Sequence, residues 1–381
     1  MVQKTVVLGG GIGGLVVANQ LRKALSEEHE IVLVDQRQQH LFYPSLLWML
    51  MGWRTGIQIQ KSFALLENKG IQFLNATIES LDFDQRLLRT STQELTYDFL
   101  VIALGADTCP EKLPGFSEEA HDLYSVSGVE EMRRATQELE KGRLVLLVSS
   151  IPFKCPAAPY EAALMLSALR ADDQRSVEIE LVTPEPMPMG VAGPEVGAMV
   201  VSLLEERGIR FTPLQQATRI DPEKKEIIFA DNPPLSYDLI GGIPPHELPG
   251  VLKEASIVGE SGWVKVDPST METEFEGVYA LGDATAIPLP VGKPLPKAGI
   301  FAHHQADVVS HRIACKINGI TPEMKFDGSG SCFIELGDGR AGYASGNFYA
   351  EPKPVVNMKK PSVIWHWGKA LFEKWWLWHW F

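Results

Sequence analysis

Unbroken apolar runs, rather than alternating ones, set the pattern of this chain. Thr5 to Leu8 is a short apolar, β-branched run, and an apolar helix pattern follows from Leu15 to Leu21. Ile31 to Val34, Phe99 to Ala103 and Leu144 to Val148 repeat the first pattern. A strand that is apolar at every position is one covered on both faces. After Leu144–Val148 come an Ala/Leu-rich helix near 160–170, a strand at Val177 to Val182 and a helix from Pro194 to Glu206, stopped at Gly208. Tyr237 to His246 reads as a closing strand and loop, Val278 to Ala280 as a strand, and Ile300 to Ile313 as a helix. Strands that alternate with helices predict an α/β layer structure.

The corner after the first strand carries the first chemistry. Gly9-Gly10-Gly11-Ile12-Gly13-Gly14 stands between strand and helix. In such a turn Gly9 permits the tight bend, Gly11 lets backbone approach a pyrophosphate, and Gly14 lets the helix pack on the strand. The helix opening at Ile12 and Gly13 then points free N–H groups at phosphate. Asp35, at the end of the second strand, falls where a carboxylate accepts ribose hydroxyls. The corner after Leu144–Val148 is where a second such loop belongs, yet Ser149 to Ala163 contains no glycine. It contains Cys155 among prolines, so a thiol site is expected where a nicotinamide site would be. The predicted fold is two Rossmann-like, three-layer dinucleotide-binding domains. Residues 1–110 and 255–320 make the first, 111–254 make a second without the nicotinamide glycine motif, and 321–381 form a C-terminal region.

The tail breaks the pattern. Six of the nine tryptophans lie between Trp365 and Phe381. Ser362 reads as a helix cap, and Ile364, Trp367, Leu371, Trp375 and Trp378 recur at three- and four-residue steps. Lys369, Glu373 and Lys374 sit between them. The segment is too polar and too short to cross a bilayer, and no uncharged run elsewhere reaches the ~20 residues a spanning helix needs. Residues 362–381 are therefore expected to form an amphipathic helix on a lipid membrane surface, where indole rings are favoured. Packing on the protein body or on a second subunit, as in a homo-oligomer, is the other reading. The first strand begins too early to leave room for a signal peptide, so the expected location is peripheral, on the cytoplasmic side. A formal net charge of −13 argues against a nucleic-acid partner. Cys109, Cys155, Cys315 and Cys332 form no CxxC pair, so no zinc or iron–sulfur site is expected. Four cysteines are also too few for a disulfide-stapled scaffold. Leu46 to Trp53 is unusually apolar and has two readings: a buried helix under the cofactor, or part of a quinone- or membrane-facing pocket.

Together these residues resemble a family. The likeness rests on Gly9–Gly14 with Asp35, His40-Leu41-Phe42-Tyr43-Pro44, Ala103-Leu104-Gly105 and Phe153-Lys154-Cys155-Pro156 with Pro159-Tyr160-Glu161. It continues through Pro244-Pro245-His246, Leu281-Gly282-Asp283, Pro296-Lys297-Ala298-Gly299 and Cys332. Over nearly its whole length the chain resembles the sulfide:quinone oxidoreductases and the flavoprotein subunits of flavocytochrome c sulfide dehydrogenases. These are FAD enzymes of the pyridine nucleotide-disulfide oxidoreductase superfamily. The resemblance implies FAD bound at Gly9, Gly11, Ile12, Gly13, Gly14, Asp35, Pro44, Ala103, Gly105, Gly282, Asp283 and Lys297. It implies a redox pair, Cys155 and Cys332, whose disulfide is attacked by sulfide to leave a persulfide. The released thiolate, assigned to Cys332, passes electrons to the flavin, and a membrane quinone takes them from there. Glu161 is implied as a local proton acceptor, or else is a plain helix N-terminal carboxylate. Lys297 is implied as a positive neighbour of the reduced flavin, or else is a solvated loop lysine. Two departures stand out. The third cysteine of many members is missing from Asp122-Leu123-Tyr124-Ser125-Val126, and a histidine frequent after the second-domain strand is missing from Thr183–Gly190. Two other activities suit the fold: a type II NADH:quinone oxidoreductase, disfavoured by the missing glycine turn, and a sulfur-binding flavoprotein without turnover.

Overall fold

The computed structural model describes residues 2–172 and 176–381. In chain order it begins with β1 (Lys4–Leu8), α1 (Ile12–Ala24), β2 (Glu30–Asp35), α2 (Leu46–Leu50), β3 (Gln72–Asn75) and β4 (Phe99–Ile102). Next come β5 (Ala120–Asp122), α3 (Val126–Glu138), β6 (Lys141–Val148), α4 (Ala158–Asp172), β7 (Ser176–Val182), α5 (Pro194–Glu206), β8 (Arg210–Thr212) and β9 (Leu239–Ile243). The chain returns with β10 (Val278–Ala280) and α6 (Gly299–Ile317). It ends in β11 (Ser329–Glu335), β12 (Ala341–Asn347), β13 (Val355–Ser362) and α7 (Val363–His379).

Two five-stranded sheets share one wiring. The first runs β10-β4-β1-β2-β3 and the second β5-β9-β6-β7-β8, with every neighbouring pair parallel. Thus β6 stands in the second sheet where β1 stands in the first, and β7 where β2 stands. Val6 to Leu8 and Leu144 to Val148 are buried throughout, as their unbroken apolar runs require. The α1 helix sits close on β1 only because position 14 has no side chain. A Cβ there would lie 1.9 Å from the Gly9 carbonyl oxygen.

The α2 helix is buried along its length and joins the apolar cluster of the second sheet, with Leu144, Ile179 and Tyr160. Leu46 to Met51 are thus buried against the second sheet. Cys332 follows Gly328 and Gly330, a stretch that reads in the sequence as a flexible glycine loop, but its setting differs. It lies in mid-strand, opposite Ala344, because β11 pairs with β12 from Ser329 onward.

The tail helix α7 grows directly out of β13. Ser362 Oγ accepts the Ile364 N–H at 3.2 Å, the expected cap. Its apolar stripe faces outward: Ile364, Trp367, Leu371, Trp375 and Trp378 are 40–76% exposed. The charged Lys369 and Glu373 point inward and are buried, with Trp376, Leu377 and Trp380. One face therefore packs on the body and the other is uncovered. Arg54 binds Glu373 Oε2 through Nε at 2.8 Å and Nη2 at 2.7 Å, and Ser45 Oγ donates to Oε1. Removing one partner of such a buried pair costs roughly 3–5 kcal/mol, so α7 is firmly seated. Among the described residues no helix is long and apolar enough to cross a membrane.

Candidate active site

Three neighbouring strands of the first sheet end together, so their loops leave side by side. The Ala103 N–H bonds the Leu8 carbonyl at 2.8 Å, and the Leu281 N–H bonds that of Ile102 at 3.0 Å. This aligns Gly9–Gly14, Ala103–Gly105 and Leu281–Asp283. A Cβ on Gly13 would strike Leu281 at 2.2 Å, and one on Gly299 would strike Ile12 at 2.3 Å, so the Pro296–Gly299 turn and the start of α6 meet the start of α1. Buried Asp35 accepts the Gly10 N–H at 2.7 Å and that of Arg37 at 2.8 Å. Pro44 lies in the turn Tyr43–Ser45, whose Tyr43 hydroxyl accepts from Arg37 at 3.3 Å.

Lys297 is not a solvated lysine. It is buried, donates to the carbonyls of Asp283 at 2.6 Å and Thr285 at 3.2 Å, and lies 3.3 Å from the centre of the Trp263 ring. Burial lowers its ammonium to about 8, against the pull of Asp283. The half-buried Asp283 carboxyl is raised, desolvation outweighing Lys297 and Lys154. This chain of loops fits a dinucleotide. Open space lies where a Cβ would project from Gly11 and from Gly105, and no side chain caps the first turn of α1. A pyrophosphate can approach that backbone and take its N–H groups.

The second sheet puts a thiol at the matching corner. Cys155 follows β6 in a left-handed conformation, φ 51°. Its backbone N–H bonds the Lys297 carbonyl at 2.7 Å, which ties the thiol loop to the nucleotide loops. The Ala158 N–H at the start of α4 donates to the Cys155 carbonyl at 2.9 Å, and the N–H groups of Ala157 and Ala158 beside the thiol favour thiolate. Burial nevertheless pushes the Cys155 and Cys332 thiols each up to about 12; Glu161 adds to the rise and Lys369 opposes it. Cys155 itself keeps an exposed surface, whereas Cys332 is half-buried. The two sulfurs are near enough for charge on Cys155 to raise Cys332, and they stand as separate thiols. Tyr124, in the stretch without a third cysteine, donates to the Lys154 carbonyl beside Cys155.

The tail supplies the missing part of this pocket. Glu161, in the first turn of α4, accepts the Glu335 N–H at 2.8 Å and the Lys369 ammonium at 2.9 Å on the same oxygen. Burial would lower Lys369, but Glu161 and Glu335 more than offset it, and its pKa is raised. Lys369 was legible as part of a stripe, since positions 369, 373, 376 and 380 share one helix face; that this stripe faces inward was not. The same face reaches the glycine loop. Buried His40 places Nδ1 2.9 Å from the Gly10 carbonyl, which sets the Nδ1–H tautomer and leaves Nε2 to accept the Trp376 indole N–H at 3.2 Å.

A second omission concerns the nicotinamide position. Glu185 follows β7 much as Asp35 ends β2, so it is the natural ribose acceptor of the second sheet. Tyr160, from the helix after the thiol loop, already donates to it at 2.6 Å. Among the described residues no group of three or more His, Cys, Asp or Glu side chains could hold a metal ion.

Residues 3–306 match the family model described as pyridine nucleotide-disulphide oxidoreductase. The chain belongs to that family and is an FAD-dependent oxidoreductase. Within the family it is similar to a sulfide-quinone reductase of Aquifex aeolicus, with 28% identity across 99% of this chain and 91% of the relative. It is also similar to a mitochondrial sulfide:quinone oxidoreductase of Mus musculus, with 24% identity across 92% and 79%. The solved sulfide:quinone oxidoreductase of Aquifex aeolicus superposes with a TM-score of 0.89 at 27% identity, covering 99% of this chain and 91% of that one.

The buried imidazole of His40 gives a pH test. Burial lowers it to about 4, with the Gly10 carbonyl opposing, while the unfolded chain titrates near 6.5. The stability of neutral His40 is therefore complete above pH ~6.5 and is lost as pH falls toward 4, by about 3 kcal/mol. His40→Gln keeps a donor and an acceptor without a titrating ring. Urea melts between pH 7 and 4 should show the variant losing less stability than the parent; superimposable acid profiles would contradict the arrangement.

Proposed function

We propose that this enzyme oxidises sulfide to zero-valent sulfur and delivers the electrons to a quinone at a membrane surface. One observation carries the reading. The corner that in a nicotinamide-binding sheet would cradle a pyrophosphate instead presents Cys155, and Cys332 arrives beside it from β11. The relatives named as sulfide:quinone oxidoreductases support it. The occupied Glu185 counts against an NADH site, although a type II NADH:quinone oxidoreductase of Staphylococcus aureus is similar at 24% identity across 88% of this chain.

Residues 1–110 and 255–320 are read as the FAD domain, 111–254 as the domain that positions Cys155, and 321–381 as the region that brings Cys332 and the tail. Gly9, Gly11, Ile12, Gly13, Gly14, Asp35, Pro44, Ala103, Gly105, Gly282, Asp283 and Lys297 hold the cofactor, and bound FAD supplies a two-electron relay between thiols and quinone. With Cys155 and Cys332 joined as a disulfide, sulfide attacks one sulfur. A new sulfur–sulfur bond forms, the Cys155–Cys332 bond breaks, and a thiolate leaves on Cys332. The Ala157 and Ala158 N–H groups and the Lys369 ammonium stabilise negative charge on the thiols, and Glu161 takes a proton. The test is anaerobic stopped-flow mixing of the FAD-loaded protein. Sulfide should bleach the flavin rapidly and NADH should not, and Cys155→Ser or Cys332→Ser should each abolish sulfide-dependent quinone reduction. Bleaching by NADH alone, or turnover surviving both changes, contradicts the proposal.

The outward face of α7 is the proposed lipid contact. Its apolar side chains contribute up to ~1.5–3 kcal/mol each when buried, enough for reversible docking. Deleting the tail would strip Glu161 and Arg54 of their partners, so substitution is the cleaner probe. Exchanging Ile364, Trp367, Leu371 and Trp378 for Gln should leave the FAD content unchanged and stop flotation with phospholipid vesicles. Flotation equal to the parent would refute membrane docking through this face.

A further inference from the structure

A line of charged side chains runs from the thiols to the protein surface, and the reaction proposed above uses only its inner end. Glu161 accepts the Lys369 ammonium at 2.9 Å and the backbone N–H of Glu335 at 2.8 Å, which sets the Glu335 residue beside that ion pair. The Lys369 charge lies under the influence of both the Glu161 and the Glu335 carboxylates. His366 Nδ1 then lies 3.2 and 3.0 Å from the two oxygens of Glu335. Glu335 has 0% of its surface exposed, whereas the His366 side chain keeps 19%. The His366 ring packs edge-on to Trp48, Trp53 and Trp367, and the last two are themselves exposed. The line therefore starts in the thiol pocket and ends at the seam between α7 and the body. The other charges packed around it are Arg54, over the Trp48 ring at 4.7 Å, and Glu373, which Arg54 neutralises.

Charge balance makes this line a proton exchanger. Two enclosed carboxylates, Glu161 and Glu335, require two positive charges, or one positive charge and one proton of their own. Lys369 supplies one charge permanently. The second charge is present only while His366 carries its proton. When His366 releases that proton to water, the line is short by one and takes up the next from the thiol end.

We infer that Glu161, Lys369, Glu335 and His366 conduct protons out of the thiol pocket, with His366 as the exit. The inference rests on the sulfide-oxidation reading. Each hydrogen sulfide molecule taken to zero-valent sulfur yields two electrons and two protons. The electron pair goes to the quinone, which takes its two protons from the water on its own side, and the sulfide protons leave their S–H bonds, pass to Glu161 and depart one at a time through Glu335 and His366. His366 touches no reactant and acts through Glu335 and Glu161.

The experiment uses the full FAD-loaded chain with sulfide and a soluble short-chain quinone. His366→Gln keeps a donor toward Glu335 but cannot carry a proton. Its turnover should fall about tenfold to a hundredfold with a larger solvent isotope effect, while it stays folded at the assay temperature with parental FAD content. Millimolar imidazole should restore most of the rate, because the exit lies at the surface. Glu335→Gln should be slowed as well and should not respond to imidazole. Parental turnover in His366→Gln, or a loss that imidazole leaves unchanged, overturns the relay while sulfide oxidation stands. A parent protein that turns over no sulfide overturns the sulfide reading itself, and the relay with it.

Discussion

The ion pair between Lys369 and Glu161 is the contact on which the rest of this structure turns. Both groups are buried, so neither tolerates loss of the other. It is also the contact that joins the last helix to the two thiols. A tail bound only by apolar packing would be free to lift away, whereas one that places an ammonium and a carboxylate inside the body is committed to it. With Lys369 on Glu161 and Glu373 on Arg54, the polar demands of α7 are met inward. Its apolar stripe is left outward. The inversion follows from where the charges find partners rather than from the helix alone.

The same helix touches the opposite end of the site through Trp376, His40 and the Gly10 carbonyl. One element thus braces both the nucleotide loop and the thiol pocket. Between them, the Cys155 N–H holds the Lys297 carbonyl and the Lys297 ammonium holds the turn at Asp283. The two sheets reach each other through these polar contacts as well as through packing. The shared wiring explains why one sheet serves a cofactor and the other serves chemistry. The turn after β1 is all glycine and open, whereas the matching turn after β6 carries prolines and Cys155, and Tyr160 beyond it engages Glu185.

Much of this was legible in the sequence. The parallel strands announced themselves as unbroken apolar runs, and the turn at Gly9–Gly14 with Asp35 pointed to its ligand, because both patterns are local. Cys155 was legible for the same reason, as a break in a motif expected at that corner. Cys332 was placed only by family likeness, and its position in mid-strand was missed, since pairing with β12 is a long-range event that Gly328 and Gly330 disguised as a loop. Glu335 and His366 carried no local signal. They matter because of what tertiary packing sets beside them. The periodicity of the tail identified its two faces correctly but could not tell inside from outside, because the partners Glu161, Arg54 and Ser45 lie more than 200 residues away.

The claim that the tail completes the thiol site can be measured without turnover. In a Cys109→Ser, Cys315→Ser background, the rate of iodoacetamide labelling of Cys155 and Cys332 at pH 8 reports their thiolate fraction. Replacing Lys369 with Met removes the nearby positive charge and leaves Glu161 facing the thiols alone. Labelling of the folded protein should slow about tenfold for each unit by which the thiol pKa rises. Equal or faster labelling in the Lys369→Met protein, measured below its own melting transition, would contradict the account.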